Sequence, residues 1–250
     1  SDMGELHIRS VLVTGANRGI GLGLVQHFLG MPNPPKWVFA AWQAEQGAGH
    51  EEAVQGGSQS LSLCAAPPAS PLVGCGTVRG GRMFTVLVPN VARRVRSWSS
   101  LLCYLHAHPY LLSSPLLRSQ AFLPLLKKAA QGSPGSALSC SKAAIVNMSS
   151  SAGSIEDVYL WHFGHVVSYR CSKAALNMLT KCQSLGYREH GVLCVALHPG
   201  WVQTDMGGSG SQKPPVTVDE SVRGMLKVLS SLSEKETGTF LDWEGKVVPW

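Results

Sequence analysis

One local pattern restricts the fold more than any other: an apolar strand runs directly into a glycine turn and then into a helix. Residues 8–14 (IRSVLVT) form a short β-branched run suited to a strand buried on both faces. Gly15-Ala-Asn-Arg-Gly-Ile-Gly21 follows, and residues 22–29 then show helical spacing. Gly30, Pro32, Pro34 and Pro35 stop that helix, and residues 37–41 read as a second strand. Strand, turn, helix and strand open a βαβ unit, which commits the chain to a parallel sheet covered by helices.

The rest of the chain supports this for part of its length. Residues 83–88 (MFTVLV) and 144–148 (AIVNM) read as strands, and 192–197 as another. Helices are expected at 120–130, with Pro124 near the start, at 169–188, ending at Gly191, and at 218–232, opened by Thr217 as a cap. Gly, Ser, Ala and Pro dominate residues 47–81, where neither periodicity persists. A chain of 250 residues, 44% hydrophobic, is long enough for one α/β domain spanning 1–250 with a sizeable core.

Composition excludes several function classes. No apolar run is long enough for a membrane helix; residues 101–117 come nearest but are broken by His106, His108, Pro109 and Pro115. No leader of the secretory type opens the sequence. Seven cysteines without a C-x-x-C pair suggest neither a disulfide framework nor a metal site, and fit a reducing, cytoplasmic setting. The net charge of +6 arises from missing acids: all fifteen lie at or before Glu52 or at or after Glu156, leaving 103 residues with none. Arg93, Arg94 and Arg96 beside Trp98 come without a nucleic-acid recognition motif and read as a solvated basic segment.

Four constellations carry chemistry. In the first turn, Gly15, Gly19 and Gly21 allow backbone N–H groups to approach a pyrophosphate at a helix N-terminus. Asn17, Arg18 and Ile20 complete that turn; Arg18 suits a 2′-phosphate, hence NADP(H), though a solvated surface arginine reads nearly as well. In the second, Tyr169 and Lys173 lie four apart and share a helix face. A cation there favours the phenolate and makes Tyr169 a usable proton donor to an alkoxide forming from a ketone or aldehyde. Lys173 also has the reach to bond a nicotinamide ribose. The third, Asn147-Met-Ser-Ser-Ser-Ala-Gly153, leaves a buried strand at the end where open sheets bind ligands; Ser150 is the candidate carbonyl-holding hydroxyl, against a plain polar loop exit. In the fourth, His198-Pro-Gly-Trp-Val-Gln-Thr204, Pro199 and Gly200 turn the chain so that Val202 and Thr204 can meet carboxamide and phosphates, while His198 reads as structural. Cys140-Ser-Lys-Ala-Ala144 echoes Cys171-Ser-Lys-Ala-Ala175, but Leu138 stands where a tyrosine is needed, so Lys142 is a decoy.

The set resembles the short-chain dehydrogenase/reductase family, and within it the C-factor/sniffer-like carbonyl reductases. TGANRGIGLGLV (14–25), QAFLPLLKKAA (120–130), IVNMSSSAGSI (145–155), YRCSKAALNMLTK (169–181) and LHPGWVQTDMGG (197–208) carry the resemblance, which covers 7–42 and 119–250. It implies a Rossmann-like doubly wound parallel α/β sheet. It also implies NADP(H), with NAD(H) as the alternative, and pro-S hydride transfer to a small carbonyl substrate, or the reverse oxidation of an alcohol. Tyr169 is then the acid/base, Lys173 its partner and Ser150 the carbonyl-binding hydroxyl. Members often pair as homodimers through their long helices, though the stretch before Gln120 does not read clearly as helix.

Residues 43–118 depart from the family, so the sheet is expected to be irregular or incomplete in the middle. Gln43 stands where a basic residue is expected after the second strand, and the acid expected after the third has no counterpart. Pro89-Asn-Val-Ala92 only echoes the family's Asn-Asn-Ala-Gly, which makes Asn90 the candidate there. The family's relay asparagine falls near Leu111, which cannot hold a proton-relaying water. The rival reading is therefore an impaired or non-catalytic Rossmann-like chain that binds nucleotide weakly or acts only through partners. Residues 206–216 (MGGSGSQKPPV) suggest a lid, and Trp161 and Phe163 either line the pocket or pack in the core. The acid gap and the return of family residues at Ser119 point to an exchanged or frame-disturbed coding segment. Sequencing the transcript checks this: a displaced frame or alternative exon over this stretch is expected, and an undisturbed frame refutes it.

Overall fold

Three interior strands of the parallel sheet are buried along almost their whole length. In the computed structural model these are β1 (Ser10–Thr14), β5 (Ala143–Met148) and β6 (Leu193–His198). The structure describes residues 6–43, 60–66, 83–87, 110–132, 137–158, 161, 166–207 and 213–250. With β2 (Trp37–Gln43), β3 (Ser60–Ala66), β4 (Met83–Leu87) and β7 (Phe240–Asp242) they form one sheet in the order β3-β2-β1-β4-β5-β6-β7, parallel throughout. The order reverses between β1 and β4, where a doubly wound sheet opens its ligand crevice.

Side chains alternate between two cores. Val11 and Val13 of β1 join Val146 and Met148 of β5 under α1 (Gly19–Leu29) and α4 (Val218–Ser231), with Phe28, Met225 and Leu229 fully buried. Leu12, Ile145 and Cys194 face the other way, packing with Leu126 of α2 (Tyr110–Gln131) on the face that also carries α3 (Val167–Gly186). Thr217 caps α4 through a reciprocal box with Glu220, as its sequence suggests.

Two expectations need correction. A strand, β3, occupies 60–66, where no periodicity was read, and pairs with β2 from Trp37↔Ser60 to Gln43↔Ala66. Its SLSLCAA sequence does alternate, and an edge strand needs few large apolar residues to pair through its backbone. Helix α2 begins at Tyr110, not Gln120, so the stretch that looked doubtful is helical. Pro115 and Pro124 both lie inside it; each lacks the N–H for a bond four residues back, which obscured the helix in the sequence. The short edge strand β7 had no reading in the sequence; Trp250 stacks on its Phe240 at 5.7 Å.

Phe28, near the C-terminal end of α1, packs that helix into the core on the sheet, with 0% of its surface exposed. Replacing it with alanine is expected to cost about 3–5 kcal/mol, measured by urea unfolding. A loss well under about 1 kcal/mol contradicts this packing.

Candidate active site

The glycine turn works by excluding side chains. Gly15 and Gly19 have φ of 66° and 53°, in the left-handed region that favours glycine. A Cβ on Gly21 would lie 2.1 Å from the Gly15 carbonyl oxygen, and one on Gly23 would lie 2.7 Å from Val218 on α4. The turn is therefore pressed against α1, and α1 against α4. Arg18 caps α1 with no side-chain bond, and the first turn contains no acid. Its amides and dipole are left available for an anion. Asn17 and Arg18 are exposed, while Ile20 packs on the core.

The segment after β6 closes on this turn. A Cβ on Gly19 would sit 3.3 Å from the Thr204 methyl, and Arg18 pairs with Asp205 at 3.6 Å. Both charged groups are well exposed, so the pair contributes little to stability. Gly200 takes φ 86° against Trp243, and the Ser221 hydroxyl donates to the Pro199 carbonyl at 2.6 Å. Val202 is buried and bridges Val216, fixing the base of the expected lid. Residues 208–212 of that lid lie outside the described residues.

The catalytic candidates meet at the carboxyl end of β5. Tyr169 is half-buried on α3, and Lys173 is 5% exposed one turn later. The Lys173 ammonium lies 5.5 Å from the Tyr169 ring centroid and donates to the Met148 carbonyl at 2.9 Å. Burial pushes its pKa from 10.5 down to about 7. Ser150, partly exposed, begins the short 3₁₀ turn Ser151–Gly153, its hydroxyl accepting from the Ala152 amide at 3.2 Å. His198 is held down to about 4, mainly by burial, with Lys173 also lowering it against the opposing pull of Asp242. A neutral imidazole at ordinary pH fits a structural role.

Several candidates lie elsewhere. Asn90 and Phe163 are outside the described residues; Leu111 lies in α2, with its side chain outside them. Trp161 is 39% exposed with the Arg170 guanidinium 5.6 Å over its ring, so it is a surface residue and not core. Lys142 sits in the turn entering β5, at the opposite end of the strand from Ser149, as its decoy reading requires. Among the described residues no group of three His, Cys, Asp or Glu could hold a metal, and no helix is long and apolar enough to cross a membrane.

Sequence reading missed Asn177 and Asp205. Asn177 follows Lys173 by four residues on the same helix, a spacing that could have exposed it. It accepts from the Ser149 hydroxyl at 2.5 Å and donates to the Gly153 carbonyl at 3.3 Å.

The chain is similar to known proteins along most of its length. Residues 112–215 match the short chain dehydrogenase family. The NADPH-bound carbonyl reductase from chicken fatty liver is 50% identical, over 99% of this chain and 96% of that one, with a TM-score of 0.82. The carbonyl reductase Sniffer of D. melanogaster is 32% identical over 98% of this chain and 100% of its own, with a TM-score of 0.74. C-signal of Myxococcus xanthus is 48% identical over 87 residues, a match that spans about half (51%) of that relative's length. Likeness of this degree along nearly the whole of both reductases, on a sheet of the same class, shows that the chain belongs to the short-chain dehydrogenase/reductase family.

Proposed function

We propose that the chain is an NADP(H)-dependent oxidoreductase that reduces an aldehyde, ketone or quinone, with Tyr169 as general acid. The observation that carries this is the half-buried Tyr169 ring beside the buried Lys173 ammonium, 5.5 Å away, at the exit of β5. The glycine turn fits a dinucleotide: position 21 has no room for a side chain, and no side chain hydrogen-bonds the α1 N-terminus. Gly15, Asn17, Arg18, Gly19, Ile20 and Gly21 would hold the phosphates, with Pro199, Gly200, Val202 and Thr204 opposite and Tyr169 and Lys173 at the ribose. Arg18 would take a 2′-phosphate, as the NADPH-bound relative encourages. When bound, the nicotinamide supplies the hydride.

The remaining chemistry belongs to this chain. Ser150 holds the carbonyl oxygen, and Tyr169 delivers its proton to that oxygen as charge develops. Lys173 lies close enough to favour the phenolate left behind. Burial lowers the Lys173 pKa to about 7, so the ammonium and its neutral form are close in energy within the site.

Free thiols at Cys140, Cys171, Cys182 and Cys194 support a cytoplasmic, reducing setting. The outward residues Met178 and Leu185 of α3, 65% and 67% exposed, support a homodimer through that helix, which sedimentation of Leu185→Glu would test by loss of the dimer. Leu111 in α2 favours the rival, non-catalytic reading. Titration of NADPH by fluorescence separates the two: absence of binding favours the rival.

With aldehydes and quinones as a panel, Tyr169→Phe is expected to cut turnover about 10²–10⁴-fold while NADPH binding persists. Unchanged turnover removes the mechanism. Stability should also respond to pH through Lys173. The unfolded chain holds this proton up to about 10.5 and the folded chain only to about 7, so the burial cost is fully present below pH 7 and disappears as pH rises to 10.5. Urea unfolding of Lys173→Met against the parent should show the variant's relative advantage shrinking across that window. A difference independent of pH contradicts the depressed value.

A further inference from the structure

We infer that Asn177 is a positioning residue for the Ser150 hydroxyl, acting through Ser149 and Gly153; this rests on the reading of Ser150 as the group that holds the carbonyl. The Ser150 hydroxyl bonds within its own turn, accepting from the Ala152 amide. The placement of its hydroxyl therefore depends on what anchors the turn. Both ends of the turn are bonded to one amide: the Ser149 hydroxyl donates to Asn177 Oδ1 at 2.5 Å, and Asn177 Nδ2 donates to the Gly153 carbonyl at 3.3 Å. Ser149 and Asn177 are 2% and 3% exposed, so water cannot readily replace either bond. A displaced turn would leave a buried amide unpaired at both of its ends.

Packing supplies a second constraint in the same place. A Cβ on Gly153 would lie 2.7 Å from the carbonyl carbon and Cβ of Lys173, so the turn rests directly on the helix at the lysine. Ser149 is also tied to β6, its amide donating to the Leu197 carbonyl at 2.8 Å. Asn177 lies one helical turn beyond Lys173, which itself lies one turn beyond Tyr169. One rigid helix thus carries the proton donor, its cationic partner and the clamp on the loop that presents Ser150. The next inward polar residues, Thr180 and Gln183, bond instead to Asn147 within β5. They hold strand to helix below the site, whereas both partners of Asn177 flank Ser150.

The test is a mutant cycle on the full chain, using the fastest aldehyde or quinone of the panel. Asn177→Ala is expected to lower kcat about tenfold to a hundredfold, with NADPH affinity by fluorescence within about twofold of the parent. In a Ser150→Ala background the same substitution should add less than about a further twofold, because its effect passes through the missing hydroxyl. A full, independent loss in that background overturns the proposal, as does NADPH affinity falling in step with kcat. If Asn177→Ala does not fold, Ser149→Ala enters the same cycle with the same expected non-additivity. If Ser150→Ala leaves turnover intact, the parent reading of Ser150 fails and the proposal falls with it. Additivity with an impaired Ser150→Ala removes the proposal alone.

Discussion

Taking the Lys173 ammonium out of water costs on the order of several kcal/mol, and the Met148 carbonyl accepts a hydrogen bond from it. That carbonyl is the last of β5, at the point where the strand stops pairing in the sheet. The arrangement needs a parallel strand with its carboxyl end under a helix face, and a doubly wound sheet provides this at each crossover. Fixing Lys173 fixes Tyr169, because four residues of helix separate them. It also requires glycine at 153, because any larger residue would push the turn off the lysine backbone.

The glycine turn meets a related demand by opposite means. Lys173 has its charge shielded by packed neighbours; the turn removes side chains so that bare amides face outward. Gly21 lies so close to Gly15 that position 21 has no room for a side chain. Thr204 and Asp205 approach from β6, one touching Gly19 and the other pairing with Arg18. Charge therefore remains at the rim, in water, where ion pairs are weak and easily exchanged. Deep in the site it is scarce, which makes each remaining ionisable group sensitive to what enters.

Much of this was legible in the sequence because it depends on short-range rules. Glycine spacing, the four-residue interval from Tyr169 to Lys173, and the Thr217 cap are all local patterns that physics reads in one window. The missed elements depended on distant partners. Residues 60–66 are a strand only because β2 lies alongside. Helix α2 tolerates Pro115 and Pro124 within a body docked on β4 and β5, which a propensity argument cannot see. Asn177 was overlooked because a polar residue on a helix is ordinarily solvated, and its burial becomes visible only when the turn that covers it is in place.

That last point explains an oddity of α3. Its inner face carries Ser168, Lys173, Asn177, Thr180, Gln183 and Ser184, all buried, against Leu176 as the one large apolar residue there. An amphipathic helix normally docks through an apolar stripe, which tolerates sliding and rotation because contact between hydrocarbons has little directional preference. Here docking proceeds through matched hydrogen bonds: Asn147 to Thr180 and Gln183, Gln183 on to Ser119 of α2, and Ser149 to Asn177. Each bond adds only about 0.5–1.5 kcal/mol net, but leaving a buried polar partner unpaired costs about 1–3 kcal/mol. A shift of α3 along β5 by even one residue would break several of these bonds at once. The polar face therefore gives up some docking energy for a single register, and register is what holds Tyr169 and Lys173 against the turn that carries Ser150, as the proposed reduction requires.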